Sequence, residues 1–329
     1  VETRTITNRR EFSWRSFILQ WEWLLVALIA AVFVLNANLS EYFLDSRHLL
    51  DATMGFLDKA FIVLPMVFII LMGDIDISVA SIVALSSVVM ADLYQAGLPM
   101  EWAMAVCLAV GSLCGWINGM LIVRFKELSS VIVTLATMII YRGIAYIILE
   151  DQAAGKFPKW FKFLGWEYVG NVPFILVAFA VCAAVFTYLL HKTTFGRKLY
   201  AIGNNPTASK FSGVEVDRIK VVVFTLAGLM SAVAALFLTS RMGSSRPNIA
   251  SGYELEVIAM VVLGGVSTAG GKGRMAGAIL AVFLIGYLRY GLGLVNISAQ
   301  TLLIVLGLLL LFAVAVPRLN AGQRTVGRT

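Results

Sequence analysis

Charge is scarce in this chain. Asp, Glu, Lys and Arg make up 14% of its 329 residues against 60% hydrophobic residues, and the mean hydropathy is +0.87. A soluble domain must cover itself with more polar surface than that, so the composition excludes one and points to a polytopic membrane protein. Histidine occurs only at His48 and His191, far apart at loop edges, which offers no catalytic pair. The three cysteines, Cys107, Cys114 and Cys182, all fall inside apolar runs without a C-x-x-C or metal-ligand spacing. They read as small hydrophobes, with neither a disulfide nor a metal site expected. No G-x-S-x-G, H-E-x-x-H or paired Cys/His pattern occurs, so a membrane enzyme is disfavoured. The net charge of +7 sits at the ends of apolar runs rather than in an aromatic-interleaved stripe, so no nucleic-acid partner is expected.

What the chain has in quantity is hydrophobic runs. About 20 residues span a bilayer, fewer where a helix is broken inside a bundle. Ten spans are expected on that criterion: Trp23–Leu39, Lys59–Gly73, Ser78–Tyr94, Trp102–Val123, Ser130–Leu149, Val172–His191, Ile219–Ser240, Glu254–Gly270, Met275–Val295 and Ala299–Val316. The run after the basic N-terminus is longer than a signal-peptide core and is read as the first span. With both termini in the cytoplasm, 17 of the 26 Lys and Arg fall on cytoplasmic segments and seven, including Lys59 and Arg241, on outer ones. The positive-inside bias supports that orientation. The expected organisation is a cytoplasmic segment over residues 1–22, a transmembrane domain over 23–317 and a cytoplasmic tail over 318–329. The aromatic and lysine-rich loop Glu150–Asn171 is amphipathic and expected along the outer interface, or in contact with a soluble partner.

One long basic loop, His191 to Lys220, interrupts the apolar runs and carries the signals of a short capped helix. Asn205 is a good N-cap, Pro206 suits the first helical turn, and Gly213 suits a left-handed end. Either the loop is merely solvated or this helix docks something.

The junction of the second and third spans reads GDIDIS, Gly73 to Ser78. Carboxylates at membrane depth must face the bundle, cap a helix or reach water, so Asp76 or Ser78 is placed to cap the third helix. The sharper alternative makes Asp74 and Asp76, with Arg142, the site of a proton-coupled carrier, although Glu254 and Glu256, at a span's edge, do not extend such a relay. Arg142 and Arg289 lie within spans among tyrosines. Each is read as snorkelling to the outer interface, or else as binding a hydroxyl or a carboxylate. Gly111, Gly115 and Gly119 form a doubled G-x-x-x-G that lets a second helix approach, and Gly228 with Ala232, and Gly273 and Gly277 with Ala281, repeat the device. The stretch LGGVSTAGGKGRMAG imitates a phosphate-binding loop, but Val266 and Gly273 stand where that motif needs glycine and a hydroxyl residue. It is read instead as a tight re-entry, with Lys272 and Arg274 at the cytoplasmic surface.

The combination of GDIDISVASIVALSS, FGRKLYAIGNNPTASKFSGV and VLGGVSTAGGKGRMAGAILAVFLIGYLRYGLGLV resembles the permease subunits of bacterial ribose-type sugar ABC importers, over about Leu24 to Pro317. The resemblance implies an all-α, ten-span permease of the vitamin-B12-importer-like class, without enzymatic activity of its own and binding no cofactor. ATP and Mg would be used by a separate cytoplasmic ABC ATPase. A second permease, identical or paralogous, and a periplasmic sugar-binding protein would complete the importer in the inner membrane. The cargo would be a sugar or sugar-like solute of the ribose, rhamnose, xylose or autoinducer-2 kind, with rhamnose or autoinducer-2 preferred. By the same resemblance Asn204, Asn205, Pro206, Ala208, Ser209, Phe211 and Gly213 belong to the ATPase-coupling helix. Gly264, Gly265, Gly270, Gly271 and Gly273 match a glycine-rich turn, and Gly73, Asp74, Asp76 and Ser78 form a helix break beside the solute pathway. Many members carry glycine at the position of Asp74, so the bend there is open to question.

Overall fold

A computed structural model of the chain describes residues 21–297 together with 301, 304, 307 and 308. The expected tenth span, the cytoplasmic tail and nearly all of the N-terminal segment lie outside the described residues. The first helix, α1 (Trp21–Leu39), lies on the periphery. The next, α2 (Ser46–Leu71), is the centre of the bundle: from Ala52 to Met72 every residue except Gly55 is buried. A helix that is apolar on all sides must be enclosed, because it has no polar face to offer water. Asp45 caps its start, and its last turn ends in a Schellman turn at Gly73 (φ +83°), whose N–H bonds the Ile70 carbonyl while that of Asp74 bonds Ile69.

Helices α3 (Val79–Gln95), α4 (Met100–Arg124) and α5 (Ser130–Leu149) follow. The segment between α5 and α7 (Phe174–Lys192) is a small cap containing β1 (Ala154–Gly155), a 3-10 turn at Lys159–Lys162, α6 (Phe163–Trp166), β2 (Tyr168–Val169) and β3 (Val172–Pro173). It is amphipathic as expected: Phe161 is buried while Trp160, Phe163 and Trp166 are exposed. The basic loop then gives two helices where one was expected, α8 (Thr194–Asn204) and α9 (Pro206–Phe211). The first was missed because Gly196 and Gly203 argue against a helix. Both are needed for close approach: a methyl at Gly196 would strike the Leu190 carbonyl. The bundle closes with α10 (Val216–Met242), β4 (Ser244–Ser245), α11 (Tyr253–Leu263) and α12 (Met275–Leu294). The strands make two short antiparallel ladders, β1 with β4 and β2 with β3.

Seven of these helices, α1, α2, α4, α5, α7, α10 and α12, are long and apolar enough to cross a membrane. The helices at the third and eighth expected spans are shorter, with 17 residues in α3 and 11 in α11. The chain is thus a multi-pass, predominantly helical membrane protein. The doubled glycine motif works as expected. Along α4, methyls at Gly111, Gly115 and Gly119 would collide with Gly228, Phe224 and Val221 of α10, so these two helices meet backbone to backbone. Gly277 meets Gly264 in the same way and joins α12 to α11, whereas Gly273 lies outside any helix and serves the turn.

Candidate functional site

At the end of the bundle that carries α8 and α9, three of the expected features come together. The last carbonyls of a helix have no partner within it. For α2, the Leu71 carbonyl finds one in the N–H of Gly271, at 2.8 Å. The glycine-rich turn approaches so closely because Gly265, Gly270, Gly271 and Gly273 all adopt positive φ and present no side chain to the seam. Gly264 ends α11, and the turn closes through the Ser267 N–H to the Lys272 carbonyl at 2.8 Å. From the other side α8 clamps it. The Tyr200 hydroxyl donates to the Gly273 carbonyl at 2.7 Å, burial raises that hydroxyl's pKa and keeps it a donor, and Gly203 packs against Leu71, Gly270 and Gly271. The helix break, the glycine-rich turn and the C-terminus of α8 are therefore one joint. Arg274 pairs with Glu22 at 3.2 Å beside it.

Asn205 ends α8 and begins α9. Its Oδ1 accepts from the Ala208 N–H at 2.9 Å, Pro206 opens the helix, and Gly213 (φ +82°) terminates it in a second Schellman turn. Ser209 turns inward, while Asn204, Pro206, Ala208 and Lys210 are exposed and Phe211 is 89% exposed. Between α9 and the near ends of α4, α5 and α10 lies an open cleft of about 960 Å³. At its floor the Asp74 carboxylate pairs with Lys220 Nζ at 2.6 Å. Asp74 thus does not disturb the bend, which Gly73 makes, and its charge is met by the base of α10.

Asp76 has a separate role. Its Oδ1 accepts from the N–H (2.8 Å) and the hydroxyl (2.6 Å) of Ser78, so it fixes the residue at the N-cap of α3, while neither side chain bonds an N–H of the helix itself. Ser78 Oγ in turn accepts from Asn118 at 2.7 Å, and the Tyr141 hydroxyl donates to Asn118 Oδ1 at 3.0 Å, which ties α3, α4 and α5 together. Arg142 neither snorkels nor meets a carboxylate as a bonded partner: it donates to the carbonyls of Pro247 (2.6 Å) and Ile249 (2.8 Å). The three residues offered for a proton-coupled carrier are thus each engaged elsewhere and do not converge.

At the opposite end the structure reveals a buried ionic network that the sequence reading missed. Asp58 and Lys59 lie inside α2, not before it, since the helix starts at Ser46. Asp58 accepts from Arg241 (2.7 Å) and from the Tyr253 hydroxyl (2.9 Å). Lys59 pairs with Glu256 and sits 4.6 Å from the centre of the Tyr253 ring. Arg289 joins at 2.8 Å from Glu256, so it binds a carboxylate instead of snorkelling. Lys59 and Arg241 therefore leave the outer loops to which charge counting assigned them, while Glu256 stays in the first turn of α11, as expected, but is buried there. Charges at the ends of apolar runs read as span boundaries, which hides a network in which opposite charges supplied by α2, α10, α11 and α12 neutralise one another at depth. The only sequence signal was the pairing of Asp58-Lys59 with Glu254 and Glu256 beside apolar runs.

Comparison with known proteins agrees with this architecture. Residues 50–314 match the family model described as branched-chain amino acid transport system / permease component. The ribose import permease protein of Bacillus subtilis (strain 168) is 38% identical over 296 residues, which cover 89% of this chain and 90% of that one. The ribose import permease protein of Haemophilus influenzae is 35% identical over 91% of both chains. The autoinducer 2 import system permease protein of Escherichia coli (strain K12) is 34% identical over 89% of this chain and 91% of that one. No solved structure matches. With a match that runs from α2 past α12, and relatives aligned over nine-tenths of their length, the chain belongs to this permease-component family, among its ribose-type import permeases.

Proposed function

We propose that the chain is the membrane-spanning permease subunit of an ATP-binding-cassette importer for a sugar or sugar-like solute, the class to which the ribose and autoinducer 2 permeases point. In this reading it forms ten spans in a vitamin-B12-importer-like arrangement, with both termini and the α8–α9 end in the cytoplasm. A second permease completes the path. A separate ATPase binds ATP and Mg, and a periplasmic binding protein delivers the solute.

The observation that carries the reading is mechanical. A six-residue helix, capped at both ends, stands on the bundle with Phe211 89% exposed, and the preceding helix is locked by backbone contact to the helix break of α2. A force applied to α9 therefore has a rigid route into the bundle core, as switching by rigid-body motion requires. Large exposed aromatics on an otherwise polar end favour a protein partner over solvent.

The test is uptake by the complete importer in proteoliposomes. Ala208→Glu or Phe211→Glu is expected to abolish ATP-driven uptake while membrane insertion and the thermal stability of the isolated permease are retained. Normal uptake in both variants would remove the coupling role of α9. An intact complex that moves no solute would remove the transport reading itself.

A further inference from the structure

Between α10 and α11 the chain folds into the bundle as irregular backbone. Ser245 is buried and donates to Ser87 Oγ of α3 at 2.8 Å, and β4 pairs with β1. Beyond it Pro247, Ile249 and Ala250 are buried, while Arg246, Asn248 and Ser251 are exposed. Ala250 has φ +59°, a left-handed conformation in which a residue with a Cβ is strained. Arg142 grips this stretch through Nη1, which donates to the carbonyls of Pro247 at 2.6 Å and Ile249 at 2.8 Å. Arg142 lies seven positions before Leu149, the last residue of α5, a depth of about 10 Å from that end at 1.5 Å per residue. Non-helical backbone at such a depth persists only where it is buried in protein or lines water. The outward polar side chains Arg246, Asn248 and Ser251 are costly against lipid, which favours water.

We propose that Arg142 is a positioning residue for transport: by holding the carbonyls of Pro247 and Ile249 it fixes residues 246–251 as a polar constriction in the solute path, at the end opposite α9. The inference rests on the transport reading. A hydroxyl-rich solute enters when the segment leaves the guanidinium, and the strain at Ala250 favours that release.

The experiment uses the complete importer in vesicles, with Asn248→Cys introduced and labelled by a membrane-impermeant maleimide added on the side opposite the ATPase. The unmodified chain, carrying Cys107, Cys114 and Cys182, sets the background. Arg142→Gln in the Asn248→Cys background is expected to speed labelling at least about tenfold per assembled complex, the change in open population that loss of a charge-assisted hydrogen bond produces. Maximal uptake falls while ATP hydrolysis continues. Arg142→Lys, which keeps the charge but on a shorter side chain without the planar guanidinium, should give an intermediate rate, and it decides the matter if Arg142→Gln does not assemble. Unchanged labelling in an assembled variant overturns the proposal. So does reaction of Asn248→Cys with a lipid-soluble maleimide alone, which would place the segment against lipid. An importer with Arg142 intact that moves no solute removes the transport reading instead, and labelling still reports whether Arg142 grips the segment.

Discussion

The N–H of Gly271 donates to the carbonyl of Leu71 at 2.8 Å, so a turn between α11 and α12 completes the C-terminus of the central helix α2. The bond is backbone to backbone and admits almost no play. Gly203 of α8 packs over it, where a methyl would drive into the Leu71 carbonyl and the Gly271 nitrogen. A displacement of α8 therefore cannot be absorbed by side-chain rotation, which is how most interfaces soften motion. It must move the end of α2 and the glycine-rich turn together, or break the joint.

Gly203→Ala tests that rigidity. The added methyl forces α8 away from the seam, and overpacking of this kind costs about 1–3 kcal/mol. The expected outcome is a modest fall in melting temperature with a much larger fall in ATP-driven uptake, because the joint is lost before the bundle is. Equal, proportionate losses in both measurements would reduce Gly203 to a packing residue.

Asp74 and Lys220 tie the same helix break to a further element, the foot of α10, at 2.6 Å. Asp74→Asn and Lys220→Met are each expected to lower uptake, and the double variant should be no worse than either single one. A coupling energy between about 0.5 and 3 kcal/mol in a double-mutant cycle on melting temperature is the range for contacting charges. Strict additivity would mean that the pair forms no functional strut.

The helical features around this site were legible because their signals are local. Asn205, Pro206 and Gly213 predict the limits of α9 within a residue, and Gly111, Gly115 and Gly119 predict a close helix crossing without naming α10 as the partner. The ionic network was not legible, since Asp58, Arg241 and Glu256 look like span boundaries and Arg289 like a snorkelling cation until tertiary structure brings their opposite charges together. Likewise the sequence places Arg142 inside a span but cannot say that two backbone carbonyls from 105 and 107 residues away wait for it. Local propensity encodes elements and caps. Long-range electrostatic pairing requires the fold.

Asp58 is the member of the network with most to lose. It is fully buried and accepts from Arg241 and Tyr253. Asp58→Ala leaves the Arg241 cation without its carboxylate, and breaking a buried pair in this way costs about 3–5 kcal/mol. The expected result is a large fall in thermal stability in detergent. Replacing both partners, Asp58→Leu with Arg241→Met, should recover much of it, since no buried charge is then stranded. A double variant as unstable as Asp58→Ala would show that the network is held by its shape and not by its charges.

The start of α2 responds to acid in a direction that its cap sets. Asp45 Oδ1 accepts from the N–H groups of His48 (3.2 Å) and Arg47 (2.8 Å), and these bonds, that of His48 foremost, hold the carboxyl below its ordinary value of 3.8. Because the folded pKa lies below the unfolded one, the contribution to stability is complete above about pH 4–5 and is lost as the pH falls through the folded value. The loss of melting temperature caused by Asp45→Ala should therefore be largest near neutral pH and shrink below pH 4. Asp45→Asn, which caps nearly as well without titrating, should differ little from the parent at neutral pH and become the more stable of the two in acid. A constant gap between Asp45→Ala and the parent from pH 7 to pH 3 would mean that the ionised carboxylate contributes nothing to the cap beyond its shape.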